Sequence, residues 1–408
     1  MKKHWILTLI VLLILVITLA GGFTLLWRFL IFAAVMLLLS YLWSRASIQN
    51  VQCKIDDIPS LCKVGDHFPE KTIISNGSRL PTPVIEISED TSLPGFSNRI
   101  GTNLTGRGSY DWEAEVYCRR RGRYGLGTFT IKTSDPLGLF SRIRHTGTRQ
   151  EFIVYPRTHE LPLFELTPQQ EYGTGSRRWL YRESSANASR VREYVSGDNL
   201  RHIHWLSTAH TGNLMVKEFD PDRSKTGLND IWLVLDMHRG SQLGELEETT
   251  EEYCITIAAS LAKKYLDIGK RVGMIASGDK SFLLEPEAGD DHLEYILNSL
   301  TLLRATGGVA LDNLLSSRLD HFKADSAVII ILPSVSPNIA APVRTLTDRR
   351  VKVIAILLDA FSFGGMTTSA NTPRSLSSAG ASVYNVRQGI DIDRALDSRL
   401  VITGTKRI

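Results

Sequence analysis

From Trp5 to Trp43 the chain is almost wholly apolar, and no other feature restricts its possible folds so strongly. As a single helix this run would extend about 58 Å, nearly twice the roughly 30 Å of a bilayer's hydrocarbon. It must therefore turn back on itself. Gly21-Gly22 and Arg28 mark the soft region, which predicts a transmembrane helical hairpin with one helix near residues 4–21 and a second near 25–44. Twelve Ile, Leu and Val residues lie between Ile6 and Leu19. Each favours insertion by about 0.3–0.6 kcal/mol, and together they outweigh the roughly 2.5–3.5 kcal/mol cost of one central Arg. Lys2 and Lys3 precede the first helix, while Arg45 and Lys54 follow the second. The excess of positive charge then places both ends on the cytoplasmic side of the inner (plasma) membrane, with the soluble domains in the cytoplasm. A signal peptide cleaved after Ala20 is the competing reading, and the second apolar run directly behind it argues against cleavage.

At 408 residues the chain exceeds one ordinary hydrophobic core, so two soluble domains beside the membrane segment are expected. A formal net charge of +4 gives no reason to expect a nucleic-acid partner. Cys53, Cys62, Cys118 and Cys254 show neither CxxC pairing nor framework spacing, which suits a reducing compartment or simple burial and makes metal ligation by them an unfavoured reading.

From Ile48 to about Pro162, short segments such as 113–118 and 128–133 alternate with period two between turn signals including Asn76-Gly77, Pro94-Gly95 and Asp135-Pro136. This pattern predicts an Ig-like β-sandwich. Leu161 to Ser189 reads as an irregular surface connector. From Asp230 onward the rhythm changes to apolar strands, at 231–235, 271–276, 327–332 and 351–358, alternating with amphipathic helices. Thr249 and Glu252 form a capping box at the first of these helices and Gly269 ends it. Further helices are expected near 291–303, 311–322, 338–349 and 390–400. Such alternation gives a mainly parallel sheet with helices on both faces. The organisation expected is therefore a membrane hairpin over 1–47, a β-sandwich over 48–162, a linker element over 163–229 and an α/β domain over 230–408.

Between Arg192 and Phe219 the chain concentrates arginines, a Gly-Asp turn, aromatics and a basic segment. Arg192, Tyr194, Gly197, Asp198, Arg201, Trp205 and Lys217 are the candidate binding residues. Two readings compete for them. In the structural one, Asp198 pairs with Arg192 or Arg201 while Tyr194, Ile203 and Trp205 pack beneath. In the functional one, arginines beside a rigid turn present a bidentate site for a partner's carboxylates. At Arg192-Glu-Tyr194, Gly197-Asp198, Arg201, Ile203, Trp205 and Thr208-Ala209, followed by Leu214 to Phe219, the chain resembles the Domain of Unknown Function 58 family. Arg121-Gly-Arg-Tyr-Gly-Leu-Gly127, Asp135 to Phe140 and Val154 to Arg157 support that resemblance. Leu206 and His210 stand where basic residues are common in the family. The resemblance implies a membrane protein encoded beside MoxR-type AAA+ ATPases, carrying a C-terminal von Willebrand factor A-like domain and helping to mature or assemble other proteins.

Such a domain usually holds a divalent cation through Asp-x-Ser-x-Ser. Here the motif reads Asp236-Met-His-Arg-Gly240, with His238 and Gly240 at both serine positions. The expectation is a degraded metal site around Asp236, no bound metal, and a strand-capping role for Asp236. His202 and His204 would share one face of a strand, near His210, without a third zinc ligand at close spacing. Arg119 to Arg123 reads as a charged hairpin turn close to anionic lipid. No GxSxG, HExxH, Walker A or Rossmann glycine pattern occurs. The sequence therefore leads to a non-enzymatic membrane adaptor or scaffold without a cofactor, whose partners are a MoxR-type ATPase, a client protein and membrane lipid. The alternatives are a metal-dependent adhesion module facing outward and, more weakly supported, a hydrolase using His202 or His204.

Overall fold

The structure, a computed structural model, describes residues 24–166, 188–193, 204–219, 228, 230–245, 247–324, 326–333, 338–365, 372–398 and 402–403. The expected helix near 4–21 and its turn lie outside them. Contacts divide the chain into one unit of residues 1–157 with 297–302 and another of 158–296 with 303–408.

In the first unit, helix α1 (Thr24–Gln49) continues past the expected end near residue 44. Its stretch Trp27–Gln49 is long and apolar enough to cross a membrane. Trp27, Phe29, Phe32, Leu38 and Leu39 stand exposed along it, a surface that water disfavours. The last turns of α1 bury serines instead: Ser40, Ser44 and Ser47 are all covered. Ser40 Oγ donates to Asp135 Oδ2, and Ser44 Oγ donates to the Phe140 carbonyl at 3.3 Å. Burial alone would raise the Asp135 carboxyl, but the donors from Ser40, Phe140 and Leu137 together hold it below the usual carboxylate range.

The strands that follow are β1 (Val51–Ile55), β2 (Leu61–Lys63), β3 (His67–Asn76), β4 (Thr82–Glu89), β5 (Arg99–Leu104), β6 (Ser109–Tyr117), β7 (Gly122–Ser134) and β8 (Ser141–Tyr155). They form a sheet in the order β1-β3-β6 and a second in the order β2-β8-β7-β4-β5. All the pairings are antiparallel except that of β2 with β8. Period-two alternation produces the inward faces. One apolar cluster joins Val51, Ile74, Ile87, Phe129 and Ile131, and another joins Phe68, Val116, Leu126, Phe152 and Val154. Both draw on both sheets.

The alternation of β3 also carries a carboxyl inward. Glu70 and Thr72 lie between Phe68 and Ile74 on the buried face. Asn98 Nδ2 donates to Glu70 Oε2 at 3.3 Å and to Glu89 Oε2 at 3.2 Å, while Gly127 N donates to Glu89 Oε1 at 2.6 Å. Burial, reinforced by the neighbouring Glu89 carboxylate, pushes Glu70 up to about 8. Asn98 thus joins a buried carboxyl from each sheet. Arg121 is also fully buried, so only part of the charged hairpin turn read at Arg119 to Arg123 is at the surface, where Arg119 and Arg123 are exposed.

In the second unit, Leu161 and Phe164 are buried. Lys264 Nζ donates to both their carbonyls at 2.6 Å, so the start of the expected surface connector is packed rather than loose. The main elements are β9 (Ala188–Glu193), α2 (Trp205–Thr211), β10 (Met215–Phe219), β11 (Asp230–Leu235), α3 (Thr250–Asp267), β12 (Arg271–Ser277), β13 (Ser281–Glu287), α4 (Asp290–Leu302, of which 297–302 count with the first unit), α5 (Leu311–Ser317), β14 (Ala327–Pro333), α6 (Ala340–Asp348), β15 (Lys352–Leu358), α7 (Thr372–Ser378), β16 (Ser382–Val386), α8 (Ile392–Ala395) and β17 (Ile402–Thr403). The sheet runs β13-β12-β11-β14-β15-β16-β17. Its inner strands are parallel, and the edge strands β13 and β17 are antiparallel. Strands buried on both faces, such as Ile231–Leu235 and Ala327–Leu332, must be apolar throughout, and they are.

Helix α3 begins as expected, with Thr249 Oγ1 accepting from Glu252 N at 3.2 Å. It ends at Gly269, whose φ of +77° is the left-handed conformation that favours glycine. The helix expected over 390–400 is only the short Ile392–Ala395.

Candidate functional site

The order of the parallel strands locates the site. From β11 the chain passes to β12 on one side, and β14 returns on the other. Winding reverses between β11 and β14, and open α/β sheets present their ligand crevice outside the carboxyl ends of strands at such a point. Asp236 stands there, at the end of β11.

Asp236 is 2% exposed. Its Oδ1 accepts from His238 N at 3.1 Å, closing a turn two residues long, and the Ser241 side chain also donates to it. Its backbone carbonyl accepts from Gln242 Nε2 at 2.7 Å, and Gln242 Oε1 in turn accepts from Thr250 Oγ1 at 2.7 Å, at the start of α3. Burial raises the Asp236 carboxyl above its ordinary value, with the charge of Asp312 adding to the rise and the donors from His238 and Ser241 opposing it. Asp236 therefore organises its own loop, as a strand cap.

Residues 303–308 lock onto this loop. Arg239 N donates to Gly307 O and Gly307 N to Met237 O, each at 3.0 Å. Only glycine permits this approach, because a Cβ at Gly307 would lie 1.9 Å from Ser277 O. From α3, Glu251 Oε2 accepts from Ala305 N at 3.3 Å, and Arg304 Nη1 stands 3.6 Å from Glu251 Oε1. On the rim formed by these loops and the segment after β15, Val309 is 45% and Phe361 63% exposed. Arg239 is exposed rather than turned toward Asp236.

A divalent cation would need several convergent oxygens. His238 and Gly240 indeed occupy the serine positions, and the hydroxyl that reaches Asp236 is Ser241, one residue later. Among the described residues, no group of at least three His, Cys, Asp and Glu side chains converges to hold a metal. Among the described residues, Asp236 and Ser241 are the oxygen donors brought together here, with Asp312 acting on Asp236 through its charge. Ser241 and Asp312 were not singled out in the sequence; Asp312 is drawn close by the fold alone.

The other candidate residues lie on a separate element. Strand β9 (Ala188–Glu193) pairs antiparallel with β10 (Met215–Phe219), and helix α2 (Trp205–Thr211) precedes β10. In the backbone register Arg192 lies opposite Val216 and Lys217 opposite Val191. Tyr194, Gly197, Asp198, Arg201 and His202 lie outside the described residues. Trp205 is 68% exposed, which corrects the expectation that it packs beneath the turn. His204 is not in a strand but caps α2: its Nδ1 is 2.7 Å from Ser207 Oγ and accepts from Ser207 N at 3.3 Å.

A family described as "Protein of unknown function DUF58" matches residues 190–360, from the β9–β10 ribbon through β15. The motifs at 121–127, 135–140 and 154–157 fall outside that match. The chain is 25% identical over 182 residues to uncharacterized protein YeaD of Bacillus subtilis (strain 168), covering 45% of this chain and 43% of YeaD. It is 28% identical over 174 residues to uncharacterized protein Rv1480 of Mycobacterium tuberculosis (strain ATCC 25618 / H37Rv), covering 40% of this chain and 52% of that protein. The chain thus spans about half the length of the curated relatives it matches. Among solved structures, the CARDB domain of the PF1109 protein from Pyrococcus furiosus aligns with 26% of this chain and 86% of that domain at 11% identity and a TM-score of 0.21. The pilus adhesin SpaC from Lactobacillus rhamnosus GG aligns with 43% of this chain and 29% of the adhesin at 12% identity and a TM-score of 0.33. Likenesses this low carry no argument about function.

Proposed function

We propose that this chain is a membrane-anchored, non-enzymatic adaptor whose α/β unit docks other proteins through the carboxyl edge of its parallel sheet. In this reading α1 is a membrane span, the soluble units face the cytoplasm, and the α/β unit is von Willebrand factor A-like with a degraded metal site. The antiparallel edge strand β13 beside the parallel strands suits that comparison. The observation that carries the proposal is the edge itself. Asp236 is buried and committed to its own loop, while Val309, on the loop after α4, and Phe361, on the loop after β15, are exposed. A partner can bury these apolar side chains without any reactive group taking part. The partner proposed, on the family resemblance, is a MoxR-type AAA+ ATPase, with a client protein, in assembly or maturation. Exposed Trp205, at the start of the α2 helix that precedes β10, offers a second docking surface.

The full chain, extracted in detergent and carrying Val309→Ser with Phe361→Ser, tests the edge. Recovery of the co-purified AAA+ ATPase is expected to fall about tenfold or more, since truncating a well-buried anchor costs roughly 1–2 kcal/mol or more each. Recovery equal to wild type would overturn the assignment of this edge. Arg192→Ala with Arg201→Ala tests the second surface in the same way.

A further inference from the structure

The end of α1 and the loop it rests on form a basic collar that neither the adaptor reading nor the carboxyl edge uses. Arg142 lies over the Tyr41 ring, 5.1 Å from its centroid. Arg45 and Arg142 both reach the Tyr41 hydroxyl. Arg144 Nη1 donates to the Ile48 carbonyl at 3.1 Å and also to that of Gln49. Arginine is thus concentrated within about two turns of the helix end, on β8 and on α1 itself.

Among the described residues these cations have no anionic partner. Among the described residues, none of the ion pairs involves Arg45, Arg142 or Arg144. Arg142 Nε is buried without a hydrogen-bond partner. Asp135, on the adjoining loop, is already engaged by Ser40, Leu137 and Phe140. The same rim carries apolar tips, with Leu137 53% and Ile143 63% exposed. Isolated in water, such a surface has two unmet demands, an anion for the guanidinium groups and an apolar medium for the side chains between them.

Depth along the helix shows what meets both. Tyr and Trp collect at the level of lipid headgroups, and Tyr41 and Trp43 are the last aromatics of α1. Phe140 packs edge-on against Tyr41 with centroids 5.7 Å apart, so the loop 135–140 and the start of β8 stand at the same level. We propose that Arg45, Arg142 and Arg144 form a binding collar for the phosphate groups of anionic phospholipid, with Leu137 and Ile143 dipping between the acyl chains. This rests on the reading of α1 as a membrane span. The arginine fork suits bidentate phosphate contact, and the collar sets how the first soluble unit sits on the bilayer.

The test uses the full chain reconstituted into phosphatidylcholine vesicles holding a trace of spin-labelled phosphatidylglycerol or spin-labelled phosphatidylcholine. The motionally restricted fraction of each labelled lipid is read by electron paramagnetic resonance. A cation near an anionic lipid surface shifts association about fivefold. Wild type is therefore expected to prefer phosphatidylglycerol several-fold, less so at high salt. The preference should fall to near one in the triple variant R45Q/R142Q/R144Q and survive in R45K/R142K/R144K, which keeps the charge and controls for folding. Equal association of both lipids with wild type, or an unchanged preference in the glutamine variant, would overturn the collar. If neither lipid shows a restricted fraction, the membrane span itself is wrong and the collar falls with it, an outcome distinct from lost selectivity.

Discussion

Replacing Glu70 with Gln should make the first unit more stable in alkali. In the native state Glu70 sits 1% exposed beside Glu89, with Asn98 donating to both and Glu70 pushed up to about 8 from an ordinary 4.5. A carboxyl whose folded value is raised contributes stability that is fully present below about 4.5 and is lost as pH rises through about 8. Across that window the unfolded chain has released the proton that the native chain retains. Stability therefore falls by about 1.4 kcal/mol per pH unit, on the order of 4 kcal/mol between pH 5 and 8. Glu70→Gln keeps the shape and a donor but cannot ionise. Denaturant unfolding of the full chain in detergent, followed at pH 5, 6.5, 8 and 9, gives the difference between variant and wild type and so cancels the histidines that titrate in both. The difference should rise with pH in favour of the variant. A difference that is flat, or that favours wild type in alkali, would refute the account of Glu70 as a carboxyl raised by burial and by Glu89.

Gly307→Ala should lower stability by about 2–3 kcal/mol or more, because the added methyl meets the Ser277 carbonyl at 1.9 Å and that backbone has little room to yield; a denaturant midpoint unchanged from wild type would contradict the close loop packing. Thr249→Ala should cost about 1 kcal/mol through loss of the α3 cap, read in the same titration. The cysteines are all buried thiols, and burial pushes Cys53 and Cys118 up to about 12. Neither should alkylate with iodoacetamide at pH 8 over an hour in the native protein, while both should react within minutes after denaturation; mass spectrometry distinguishes the two, and rapid native labelling would show those sites to be open.

Period and capping made much of the fold legible. Strands buried on both faces leave no choice but apolar runs, so 231–235, 271–276, 327–332 and 351–358 could be read directly and reappear as β11, β12, β14 and β15. The α3 cap could be read too, since it is local: the Thr249 side chain accepts from Glu252 N. Strand β13 was missed because Ser281–Glu287 is an edge strand of half-buried and exposed residues containing Pro286, with little periodic signal. The site was less legible. Asp236 could be read from its place after an apolar strand, but Ser241 and Asp312 gain meaning only when the loop closes and α5 folds back. His204 and Trp205 were assigned to a strand and an underlayer, whereas a short helix begins there. Glu70 could have been found, since counting by twos from Phe68 to Ile74 already places it inward.

The docking edge is tested most directly by placing a photo-cross-linking amino acid at position 361 of the full chain in its native membrane, with the same substitution at exposed Ile268 as the control. The account predicts an AAA+ ATPase adduct from 361, absent from 268 and lost when Val309→Asp is added. Adducts equal at both positions, or none from 361 while the ATPase is present, would contradict it.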